Sequence, residues 1–154
     1  MGGFTYKAND DVSFIYTVNF GDLGSRGNGA VNSFILSLNW TEKLSTVHQV
    51  DILGTDNGTD FAAVGVAGDS IGQINYAFYQ INDMLKAGVR QEWYKADGVS
   101  YNTFTYGVNI TPMSNLIIRP EVRHMWSPSN NGPYGAGENL YNQTVIGVDA
   151  IVTY

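Results

Sequence analysis

Charged side chains make up only 14% of this sequence, and eight that fall mid-strand in its apolar-alternating segments keep a single parity. Lys86, Arg90 and Glu92 lie in one such segment, Arg119, Glu121 and Arg123 in a second, Asp149 in a third and Asp51 in a fourth. Along each segment the charge falls on the side of Ser, Thr, Asn and Gly, opposite Val, Leu, Phe and Trp. Cations and carboxylates sharing one wet face can orient charged or hydrogen-bonding solutes, or they can neutralise one another, which requires no function. In the functional version Arg90, Arg119 and Arg123 are balanced by Glu92, Glu121 and Asp149 and set a transverse field in a constriction. Register estimated from the turns predicts Arg90 near Gly107, Gly107 near Arg119, and Asp149 close to Arg119.

Other chemistries find little support. His48 and His124 are far apart and form no HxH or HxxxH spacing, so a metal site is disfavoured. No G-x-S-x-G segment occurs, so a catalytic triad has no nucleophile elbow. Gly54, Gly58, Gly65 and Gly68 lack the strand-to-helix setting of a phosphate cradle. The acids Asp22, Asp56, Asp60, Asp69 and Glu138 fall in connecting segments, where solvated charge is the simpler account and divalent-cation binding the alternative. With a formal net charge of −6 and no basic run, phosphate neutralisation and hence nucleic acid are excluded as a partner class. Cysteine is absent, which removes disulfides and thiolate metal sites. The reading is non-enzymatic, with no cofactor.

The elements that position these groups are strands. Alternation predicts nine of them: 3–8, 12–21, one beginning after a Gly/Ser/Asn-rich connection at 22–29 and running to Trp40, a weak one at 45–54, then 72–81, 84–96, 101–111, 116–126 and 141–154. Phe14, Tyr16, Val18 and Phe20 alternate with Ser13, Ile15, Thr17 and Asn19. Phe34, Leu36, Leu38 and Trp40 repeat the pattern, as do Phe104, Tyr106, Val108 and Ile110. Ile74, Tyr76 and Phe78 alternate with Gln73, Asn75 and Ala77, and residues 61–66 could add a short strand. Segments of about ten residues with strict period two match a membrane-crossing strand. No apolar run is long enough for a transmembrane helix, and no signal-peptide pattern opens the chain. Connections after the odd strands are short; those after strands two, four and eight are long, the Asp97-Gly98 hairpin being the exception. Trp40, Trp93, Trp126 and the terminal Tyr154 fall at strand ends, where interfacial aromatic girdles belong. An odd strand count starting on the long-loop side suggests the C-terminal part of a larger barrel.

The segments GGFTYKANDDVSF, RQEWYKADGV, TYGVNITPMSNLIIRPEVRHMW and GVDAIVTY resemble the β-barrel porin-2 (OmpL-like) outer-membrane family, most specifically over residues 87–154. The resemblance implies an all-β, antiparallel, up-and-down transmembrane β-barrel in the outer membrane of a Gram-negative cell, and no catalytic motif. The expected function is passive diffusion of small hydrophilic solutes or ions through a polar, mixed-charge lumen. Expected partners are outer-membrane lipid, the solutes, barrel-assembly machinery at the C-terminal strand, and further copies in a homo-oligomer. Periodicity alone also fits a soluble antiparallel sandwich or barrel that binds ligands with its Gly/Asn-rich loops.

Overall fold

The computed structural model describes residues 1–56, 68–96, 98–128 and 142–153. They form one nine-stranded antiparallel sheet in which each strand pairs with its neighbours in sequence. The strands are β1 (Gly2–Lys7), β2 (Val12–Asp22), β3 (Asn28–Asn39), β4 (Leu44–Thr55), β5 (Ser70–Asn82), β6 (Leu85–Ala96), β7 (Val99–Met113), β8 (Leu116–Trp126) and β9 (Asn142–Val152). A single 3-10 turn at Gly24–Arg26 interrupts the strand pattern. The fourth strand, weak in alternation, is as long as its neighbours, because hydrogen bonding on both edges stabilises it where its own pattern does not. The short strand considered at 61–66 lies outside the described residues.

One rim carries the short connections 8–11, 40–43, 83–84 and 114–115. The opposite rim is formed by the other ends of the strands, at residues 22 and 28, 55 and 70, 96 and 99, and 126 and 142. At the short turns side chains replace missing backbone partners: Asn82 Oδ1 accepts from Met84 and Leu85 N–H, and Thr41 Oγ1 from Lys43 and Leu44 N–H. Gly98 adopts φ 74°, the positive value that a tight hairpin requires and that a residue without Cβ reaches at little cost.

The two faces differ in curvature. Ile146 and Val148 on one face are 78% and 69% exposed, whereas Thr105, on the other, is 5% exposed. Side chains spread on a convex face and crowd on a concave one. Grooves lined by Tyr76, Arg90, Thr105 and Glu121, and by Asp51, Glu92 and Tyr101, open on the crowded side. Phe4, Phe14, Tyr16, Phe34, Phe104, Tyr106, Ile146 and Val148 therefore lie on the convex face, in register from strand to strand.

Strand β5 departs from the expected sidedness. His48 pairs with Asn75, Val50 with Gln73 and Thr46 with Ala77. That register sends Gln73 and Asn75 to the convex face and Ile74, Tyr76 and Phe78 to the concave one. Alternation names two faces but cannot say which is which; register through β4 decides, and β4 has apolar residues on both sides. Among the described residues β1 and β9 each pair on one edge only.

Candidate functional site

Strands β4, β6, β8 and β9 carry the charged side chains, and all eight reach the concave face, as parity predicts. Their neighbours differ from the estimate made from turns. Arg90 faces Thr105, and Thr105 faces Arg123; Gly107 faces Gly88 on one side and Glu121 on the other. The expected contacts of Gly107 with Arg90 and Arg119 are each off by two residues. Ala96 pairs directly with Val99, so β7 begins earlier than predicted. Pro112 lies inside β7, and the turn falls at 114–115 beyond Met113↔Leu116, with an irregularity after Ile110. A shift of two preserves the face, which is why sidedness survives although register moved.

The predicted partnership of Arg119 with Asp149 is present. They are directly opposed on β8 and β9, and the guanidinium donates through Nε at 2.8 Å and Nη2 at 2.7 Å to the two carboxylate oxygens. This fork-to-carboxylate geometry fixes both groups in direction as well as distance. Arg123 Nη2 donates to Glu121 Oε1 at 3.0 Å. Arg90 Nε lies 3.1 Å from Glu92 Oε1, close enough for an ion pair but too poorly aligned for a hydrogen bond; its Nη2 is 3.4 Å from Thr105 Oγ1. Each of these arginines thus sits beside a carboxylate. Acid and base alternate along the wall and are not segregated into opposing banks.

Glycines make the space. The concave row running Phe78, Gly88, Gly107, Glu121, Gly147 has no Cβ at three of its positions. A Cβ on Gly88 would stand 3.2 Å from the Phe78 ring, and one on Gly107 2.6 Å from the Pro120 carbonyl oxygen. The Phe78 ring can therefore lie flat over Gly88, with Lys86 Nζ 4.9 Å from its centroid, a cation–π arrangement. The aromatic contribution of β5 to this face was missed in the sequence because its side depends on the β4 register.

Asp51 is separated from the arginine wall. It lies toward the long-connection rim, where Asp51 and Glu92 share a groove with Tyr94 and Tyr101. Gln49 Nε2 donates to its Oδ2 at 2.8 Å, while its buried Oδ1 has no partner among the described residues.

The proposed girdle residues take both rims. Trp40 stands beside the short turn at 40–43, its indole N–H donating to Thr46 Oγ1 at 3.0 Å. Trp93 and Trp126 lie on the convex face toward the other rim, each opposite Asn102. Trp126 stacks on His124 with centroids 5.5 Å apart. Tyr154 lies outside the described residues.

His48 and His124 are on the convex face and far from one another; among the described residues no cluster of three metal-ligating side chains occurs. Asp22 accepts from Gly24 N–H, and Asp69 from the Thr55 N–H and hydroxyl. Asp22, which the structure places at the end of β2 and not in a connection, and Asp69 thus order local backbone; Asp60 and Glu138 lie outside the described residues.

Comparison with protein families matches residues 1–154 to the family described as "Putative beta-barrel porin-2, OmpL-like". The chain belongs to this porin-2 family. Searches of curated proteins and of solved structures returned no match. Membership accords with the single up-and-down antiparallel sheet of the described residues.

Proposed function

We propose that the chain forms wall of an outer-membrane channel through which small hydrophilic solutes and ions diffuse passively. One observation carries this reading: every mid-strand charge lies on the concave face, while the convex face exposes Phe4, Tyr6, Phe34, Tyr106, Ile146 and Val148. In a soluble sandwich the apolar face would be covered by a second sheet. Among the described residues there is one sheet, and that face bears no second layer. A lipid-facing apolar band around a polar interior is the arrangement a transmembrane barrel requires.

In this reading the concave face lines the lumen, the rim where β4 ends and β9 begins faces outward, and the short turns face the periplasm. Trp40, Trp93 and Trp126 anchor the two interfaces. Strand edges inside a bilayer need partners, so β1 and β9 are completed by further strands of the barrel. No cofactor enters; selectivity comes from the lining charges and loop constriction. Because Arg90, Arg119 and Arg123 each pair with a neighbouring carboxylate, the lining discriminates weakly between anions and cations.

Membrane behaviour and conductance test the two parts. The protein should need detergent for extraction and migrate differently on a gel before and after heating; monodisperse behaviour in plain buffer would sink the porin reading. In single-channel recordings, Arg119→Ala leaves Asp149 uncompensated and Arg123→Ala leaves Glu121 so, and both should shift the channel toward cations. Unchanged ion selectivity in both variants would remove these residues from the conduction path.

A further inference from the structure

The convex face is not uniformly apolar. Across β4, β5 and β6 runs a hydrogen-bonded polar row: His48 Nδ1 donates to Asn75 Oδ1 at 2.8 Å, and Asn75 Nδ2 donates to Gln91 Oε1 at 2.6 Å. With Nδ1 as donor, His48 Nε2 accepts from the Thr46 hydroxyl at 3.2 Å. Gln73 extends the patch one row toward the rim, between Val50 and Trp93. These residues sit in the middle of strands Leu44–Thr55, Ser70–Asn82 and Leu85–Ala96. In the membrane reading proposed above, on which this inference rests, that is hydrocarbon depth, beyond the reach of head groups and water.

The row satisfies itself only in part. Among the described residues, Gln91 Nε2 and the whole Gln73 side-chain amide make no hydrogen bond. Elsewhere on the same face Tyr16 donates to Asn32 Oδ1 at 2.7 Å amid Phe4, Phe14 and Phe34, a single bond where the β4–β6 row links four side chains through three. An amide facing lipid with donors unmet is costly, and in membranes such groups hold protein surfaces together. Beside the row toward the other rim stands Ala77, between Thr46 and Val89, so a second wall can approach the row's centre at Asn75 more closely than it can the aromatic convex faces of β1–β3 or β7.

We propose that the convex face of β4–β6, centred on His48, Asn75 and Gln91, is the contact surface for a second copy of this chain in the membrane. The occupant follows from depth and chemistry. Lipid tails offer no acceptor, and a partner must present hydrogen-bonding groups at mid-membrane height. Amides and imidazole each donate and accept, so the row is complementary to itself about a symmetry axis along the membrane normal, which places identical residues at identical depth.

The chain contains no cysteine, so one introduced thiol is unique within it. Asn75→Cys and, separately, Gln73→Cys in the full-length protein in intact outer membranes are treated with a short bis-maleimide, with Phe34→Cys and Val148→Cys as convex controls. Adducts of integral multiples of the protomer mass are expected at residues 73 and 75 and not at the controls. Heat-modifiable migration of each variant establishes that the barrel has assembled, and a variant that fails it is replaced by Gln91→Cys under the same criteria. Protomers that stay uncrosslinked at every patch position, equal crosslinking at all sites, or adducts of a non-integral mass would each overturn the assignment. Absence of the protein from the membrane fraction would instead overturn the porin reading.

Discussion

Strands β3 and β5 are written in the same period-two code and face opposite ways. In β3, Phe34, Leu36 and Leu38 point to the convex side and Ser33 and Ser37 to the concave side. In β5, Ile74, Tyr76 and Phe78 line the concave side and Gln73 and Asn75 the convex one. The intervening β4 cannot arbitrate from its own residues, since Val50 and Ile52 point one way and Val47 and Leu53 the other. Pattern strength and pattern sidedness are therefore separate quantities. The first is local; the second is inherited through backbone register from neighbouring strands.

The sharpest way to break this comparison is to place the same charge in the same alternating class of both strands. Phe34→Arg puts a guanidinium on the convex face near the middle of β3 and should cost roughly 2–4 kcal/mol of stability in lipid. Ile74→Arg, opposite Glu92 and Gln49, should be close to neutral because it joins an already charged wet face. Urea titration of the two variants in vesicles, followed by heat-modifiable migration, compares them directly. Equal destabilisation would mean that β5 has the sidedness of β3.

Backbone crowding gives the next effect. A Cβ at Gly107 would meet the Pro120 carbonyl oxygen at 2.6 Å, whereas at Gly72 the nearest atom is Cδ2 of Tyr94 at 3.8 Å. Gly107→Ala should therefore cost about 1–3 kcal/mol, as overpacking does when the obstacle is backbone, and Gly72→Ala should change little. The same unfolding assay reads both, and a tolerated Gly107→Ala would show that β7 and β8 sit further apart.

Much of the fold was legible from alternation. Strands β2, β3 and β7 announce themselves because lipid-facing and wet faces demand opposite residue types at every step, and all nine strands were located. The face of every mid-strand charge was legible for the same reason, and the Arg119–Asp149 opposition followed from the spacing across the last connection. What escaped were quantities set by turns. Val99 and Ser100 extend β7 into the expected hairpin loop, and Pro112 is accommodated within the strand next to a register irregularity. Each moves the Arg90 and Gly107 partners by two without changing their side. The sidedness of β5 escaped because it depends on β4, whose residues favour neither face.

The smallest expected effect tests whether that legible pair is coupled at all. Arg119 and Asp149 are 45% and 55% exposed at their side chains, so solvent screens their attraction and a paired charge there contributes little to stability. Arg119→Asp should nonetheless be worse than Arg119→Ala, because it sets two carboxylates across one strand pair. Adding Asp149→Arg to Arg119→Asp re-forms the pair in reverse, since Cβ positions across an antiparallel ladder are nearly symmetric. The double swap should regain most of what Arg119→Asp loses, and the gain should shrink as salt rises from low concentration toward 1 M, where screening acts within about 3 Å. A swap no better than the single variant would mean that the two residues merely share a wet surface. A rescue that salt leaves untouched would mean a drier lining than the concave face of β8 and β9 implies.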